Sequence, residues 1–217
     1  MAQRRNASLP AALARLPLRT VRARDAAASY AYPGPELVRL ADRGLLRRVA
    51  TGYYIVVPQD MVGRQWVPSL EAAAAGIASA IYGATDAVLM GISAARVLGA
   101  IPRALATAVV AVPGQHRPIR LKDRPSVVHF VKRDTERLDA ERIGTPLGPA
   151  LVTTPEQTLL DLAHRPELGD APDEVPAAIA VLYQRSDYQR VKALAAQQRR
   201  TASLRRAEAF AAAWHER

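Results

Sequence analysis

Leu37-Val38-Arg39-Leu40-Ala41-Asp42-Arg43-Gly44-Leu45-Leu46-Arg47-Arg48-Val49-Ala50-Thr51-Gly52-Tyr53-Tyr54-Ile55-Val56-Val57 changes its period halfway along. In the first part Leu37, Leu40 and Ala41 recur at the spacing of one helical face, which leaves Glu36, Arg39 and Arg43 pointing outward. Gly44 stops that helix, and Arg43 places a cation in its last turn, where it complements the helix dipole. Residues 45–49 and 53–57 then read as strands rich in β-formers. Between them Ala50-Thr51-Gly52 is a tight turn in which Gly52 can take a positive φ. A short helix followed by a basic hairpin is the end of a winged helix-turn-helix.

Working upstream, Tyr30-Ala31-Tyr32-Pro33-Gly34-Pro35 reads as a turn, so the reading helix is expected over 35–43. A second helix is expected through 24–28, with Thr20 as its N-cap. A first helix is expected over 8–16, with Leu9, Leu13 and Leu16 on one face, Pro10 in its first turn and Pro17 ending it. Residues 1–60 are therefore expected to form a DNA-binding domain.

In such a domain the second helix of the pair enters the major groove. Arg39 is the expected base contact, since an arginine can make a bidentate pair with guanine, and Arg43 reaches a base or a phosphate. Tyr30 and Tyr32 at the start of the helix are candidate hydroxyl donors to phosphate. Arg47 and Arg48 alternate in a strand, so at most one faces the duplex, and Thr51 at the wing tip can approach a groove or the backbone. Arg4 and Arg5 read as a basic arm suited to a minor groove.

Charge agrees with this reading. The chain of 217 residues carries a formal charge of +10, and residues 1–60 hold ten arginines against four acids. More than half of the excess thus sits in about a quarter of the chain. Of 30 basic residues only Lys122, Lys132 and Lys192 are lysines. A polyanion is the expected partner: double-stranded DNA first, an anionic membrane surface second. No apolar run approaches the roughly 18 residues of a spanning helix, and no apolar core follows the charged N-terminus, so a cytoplasmic protein with no membrane partner is expected. Cysteine is absent, which excludes disulfides and thiolate-bound metals.

The pattern changes between Pro58 and Pro68, and a second domain is expected over 66–217. Helices are expected over 68–82, 92–98, 155–164, 173–185, 188–197 and 203–214, and strands over 105–112, 127–131 and 150–152. That is an α+β chain: an N-terminal winged domain, then a small sheet with packed helices and a basic, alanine-rich helical C-terminus. Thr154-Pro155-Glu156-Gln157 reads as a helix start, with Thr154 as N-cap and Gln157 completing a capping box. Asp161 is either a surface charge or an arginine's partner.

Nuclease chemistry would need clustered carboxylates and a lysine. The only candidates are Lys122-Asp123 and the run Asp134, Glu136, Asp139, Glu141, which is interleaved with Arg133, Arg137 and Arg142 and reads as a solvated charge run. His116, His129, His164 and His215 lack metal-ligand spacing to one another, and no glycine-rich phosphate loop is present. No enzyme, no cofactor and no metal are expected.

Residues 37–49 with Gly52-Tyr53-Tyr54 resemble the N-terminal winged domain of AbiEi-type antitoxins of bacterial type IV toxin–antitoxin systems. Ala84-Thr85-Asp86-Ala87-Val88-Leu89-Met90-Gly91-Ile92-Ser93-Ala94-Ala95, then Val109-Val110-Ala111-Val112-Pro113, then Val152-Thr153-Thr154-Pro155-Glu156-Gln157-Thr158-Leu159-Leu160-Asp161-Leu162-Ala163 are similar to that family's C-terminal domain. The likeness spans most of 20–165. It departs from the family at Tyr32-Pro33-Gly34-Pro35, where a Gly-Ile-Ser type of turn is more usual. The resemblance implies a cytoplasmic antitoxin that represses its own operon through operator DNA, and a monomer or weak dimer is expected. It also implies a nucleotidyltransferase-like toxin as the protein it counteracts. The competing expectations are a winged-helix regulator without a toxin, and a DNA nuclease.

Overall fold

Thr20 and Val21, expected to open a helix, are instead a strand. The computed structural model describes residues 9–215. Its N-terminal unit runs α1 (Ala11–Ala14), β1 (Thr20–Val21), a 3-10 turn at Ala23–Ala26, α2 (Pro33–Asp42), β2 (Leu46–Ala50) and β3 (Tyr53–Val56). The strands form an antiparallel sheet in the order β1-β3-β2, with Thr20 opposite Ile55 and Val21 opposite Tyr54. Both β1 residues are β-branched and buried, which favours pairing over a solvent-facing helical turn. The expected second helix shrinks to the 3-10 turn, capped by Arg22 rather than Thr20: Arg22 donates from its backbone N and its Nε to Asp25 Oδ2, each at 2.9 Å. The first helix is likewise shorter than expected, with a single turn at Ala11–Ala14.

α2 begins at Pro33, two residues ahead of the expected start. The amide groups of a helix's first turn have no intrahelical acceptor, so Pro33 and Pro35 cost nothing there. Its end is as expected, with Arg43 at the C-cap and Gly44 at φ 72°. The hairpin follows, with Gly52 at φ 81° and a bulge between Arg48 and Ala50. Leu13, Val21, Leu37, Leu40, Leu46, Tyr54 and Val56 form the unit's own core.

The larger unit is built on six strands in the order β6-β7-β5-β4-β9-β8. These are β4 (Val88–Leu89), β5 (Thr107–Val112), β6 (Ile119–Arg120), β7 (Val127–Lys132), β8 (Ala140–Thr145) and β9 (Gly148–Thr153). The sheet is mixed, with β5 parallel to β7 and β4 parallel to β9. Only β5, β7 and part of β9 were expected. β4 and β6 have two residues each, too few to display a period, and β8 lies partly inside the charge run.

Both faces of the sheet are covered, as the unbroken apolar run of β5 requires. Ala108, Val110 and Val112 face α3 (Leu70–Tyr82), while Val109 and Ala111 face the opposite layer. That layer holds α4 (Gly91–Val97), α5 (Pro155–His164), α6 (Val175–Arg185), α7 (Tyr188–Gln197) and α8 (Thr201–His215). On the α3 side, Leu18, Val49, Ala50 and Ile55 of the N-terminal unit join the same buried cluster as α3 and the sheet. Gly76 permits the approach: a Cβ there would lie 2.2 Å from Thr20 Oγ1.

Thr154 caps α5 as expected, its hydroxyl accepting from Gln157 N at 3.3 Å. The capping box is only half made, because the Gln157 side chain turns to Asp161 and Gln198 instead.

Candidate nucleic-acid interface

Leu37 and Leu40 are buried against the hairpin, and that fixes which way α2 presents its charges. Val38, Arg39, Asp42 and Arg43 lie on its exposed side. Arg39 is 71% exposed and ion-paired with Glu36 one turn back. Arg43 is exposed at the helix end. On the hairpin Arg48, Thr51 and Gly52 are exposed. α2 and the hairpin thus display three arginines and a threonine on one unit, over a core that holds the two elements together.

The two tyrosines part company. Tyr32 is 77% exposed at the N-cap of α2. Tyr30 is half-buried against the unit's core, and its hydroxyl is enclosed with no hydrogen-bond partner among the described residues. Burial, and then the nearby Glu36 carboxylate, push its pKa above the usual phenol range. Tyr30 is a packing residue here, not a displayed donor. Arg4 and Arg5 lie outside the described residues.

Arg47 is also turned elsewhere. Its Nε donates to Asp123 Oδ2 at 3.1 Å, and its Nη1 donates to the Trp66 carbonyl at 3.0 Å. Asp123, in the β6–β7 loop, is 3% exposed and also receives Arg124 at 2.9 Å. The residue before Asp123 in that loop, Lys122, donates its backbone N–H to Val49 O at 2.9 Å. β2, the edge strand of the hairpin, is thereby fastened to the larger unit, and the alternation that puts Arg47 inward puts Arg48 outward. Asp123, one of the acids weighed for metal chemistry, is thus engaged by two arginines.

Sequence reasoning missed Val38, 44% exposed on the outer side of α2, and Arg64. Both line a cleft of about 440 Å³ beside β2, together with Asp42, Arg48 and Trp66. Val38 was readable, since it sits next to Arg39 on the face away from Leu37 and Leu40; Arg64 had no local pattern to mark it. The run 134–141 is only partly solvated: Thr135 and Leu138 are buried, and Asp139 accepts from Thr154 and Arg190 at 2.7 and 2.6 Å. Among the described residues no helix is long and apolar enough to cross a membrane.

The fold and this surface define a mixed α+β protein with a sheet covered on both sides and a basic helix-and-hairpin unit packed on one of the covering layers. Residues 86–210 match the family described as AbiEi antitoxin C-terminal domain, and the chain belongs to that family, as the sequence resemblance led us to expect. The crystal structure of RV2827C protein from Mycobacterium tuberculosis is similar in fold, with a TM-score of 0.59 at 19% identity, over 93% of this chain and 74% of that one. No curated protein matches the chain.

Proposed function

We propose that the chain is an antitoxin that binds its operator DNA through a winged helix-turn-helix, represses its own operon and counteracts a nucleotidyltransferase-like toxin. The observation that carries DNA binding is the joint exposure of Arg39, Arg43, Arg48 and Thr51 on α2 and the hairpin. Family membership supports the antitoxin role. In this reading α2 lies in the major groove, with Arg39 pairing to a guanine edge and Tyr32 donating to phosphate. Arg43 and Arg48 neutralise the backbone on either side, and the Thr51-Gly52 tip meets the flanking groove. The chain acts by binding, in the cytoplasm, without catalytic chemistry of its own.

Fluorescence anisotropy against the DNA upstream of the gene tests this. Specific binding is expected at Kd of about 10⁻⁸ M or below at moderate salt. Failure to prefer upstream DNA over a scrambled duplex overturns the operator reading. Growth rescue on co-expression with an adjacent nucleotidyltransferase-like gene tests the toxin part, and absence of rescue overturns it.

A further inference from the structure

Arg133, Arg200 and Gln157 direct one nitrogen each at a single atom, Oδ1 of Asp161, at 3.3, 2.5 and 3.1 Å. The Asp161 side chain is 1% exposed, and its second oxygen, Oδ2, is enclosed without a hydrogen-bond partner among the described residues. Buried acceptors are satisfied in nearly all folded proteins, so such an oxygen calls for a donor. Asp161 forms part of the wall of a cavity of about 180 Å³ that is also lined by Lys132, Arg133, His164, Arg165 and Arg200. Four permanent cations there face one carboxylate. His164 registers that field: burial first, and then the charge of Arg200, hold its pKa below the usual histidine range.

The two clamped arginines are largely buried, and each gives only one side-chain hydrogen bond within the described residues. A guanidinium has five N–H donors in a fixed fork, so most of their donor capacity is unspent. The cavity thus offers many donors and one buried acceptor.

We propose that this cavity binds a protonated tetrahedral oxyanion, hydrogen phosphate. Arg133 and Arg200, with Arg165 at the rim, take the charged oxygens, and the P–OH donates to Asp161 Oδ2. Sulfate has the same shape but carries no proton near neutral pH. A DNA phosphodiester carries none either, and a phosphate monoester keeps its last proton only below about pH 6. The acceptor therefore selects among anions that the arginines alone would treat alike. The site is separate from the α2 and hairpin surface, so it stands whether or not that surface binds DNA.

Isothermal titration calorimetry on the full chain at pH 7, with ionic strength held by chloride, tests the proposal. Sodium phosphate is expected to bind saturably at one site, and sodium sulfate at least tenfold more weakly. Arg165→Ala changes an exposed residue that makes no side-chain hydrogen bond or ion pair among the described residues. It is expected to weaken phosphate at least fivefold with an unaltered Tm in phosphate-free buffer. Phosphate affinity is expected to be unchanged on chain first saturated with duplex DNA. Absence of saturable phosphate binding, equal affinity for sulfate, an Arg165→Ala variant with full affinity, or displacement of phosphate by the duplex each overturns it.

Discussion

Arg39 and Arg47 carry the same group to different ends. Arg39 is exposed, and its pair with Glu36 is of the surface kind that contributes little to stability. Arg39→Ala is expected to leave stability within about 0.5 kcal/mol of the parent. The same change is expected to remove about 1–3 kcal/mol of discrimination between operator and scrambled DNA, read by anisotropy. Arg47→Ala should do the reverse. It strips a donor from the enclosed Asp123 carboxylate, and urea denaturation is expected to show a loss of about 1–3 kcal/mol. His164 adds a pH dependence. Its folded-state pKa is depressed, so as pH falls through about 6.5 the unfolded chain takes up a proton that the folded chain resists. This group leaves stability untouched above pH 7 and lowers it as pH falls below about 6.5. His164→Gln is expected to flatten the Tm profile below that pH.

Element by element, what was readable follows from where the determinants lie. α5 and α7 have the expected ends because their caps are local: Thr154 accepts from Gln157 N, and Asp187 accepts from Gln189 N at 2.8 Å. α2 and its hairpin were readable for the same reason, through Gly44 and Gly52. The expected helix at 20–28 failed because β1 is defined by a partner strand more than thirty residues on, which no local pattern reveals. Asp161 is an arginine's partner rather than a surface charge, and the two expectations stayed open in the sequence for a related reason, since Arg133 lies just past β7 and Arg200 just before α8. Arg47's inward turn depends on Asp123 in a loop of the other unit. The packing of α3 on β1 is testable at this scale. Gly76→Ala forces a Cβ into Thr20, and overpacking of this kind costs about 1–3 kcal/mol, measurable as a lowered denaturation midpoint.

Across the whole molecule, the N-terminal unit and the sheet share one buried cluster through Leu18, Val49, Ala50 and Ile55. Separating the two would expose that apolar surface to water. Differential scanning calorimetry is therefore expected to show a single cooperative transition, and two resolved peaks would contradict the shared core. The borders of the large sheet have a consequence of their own. One is closed by β6, only two residues long; the other is β8, which carries the exposed charges Glu141 and Arg142 in its middle. Unpaired strand borders invite neighbouring chains to add on, and brevity and charge are the two usual deterrents. Each margin of this sheet bears one of them, which guards a chain so rich in valine and alanine against growing into fibres.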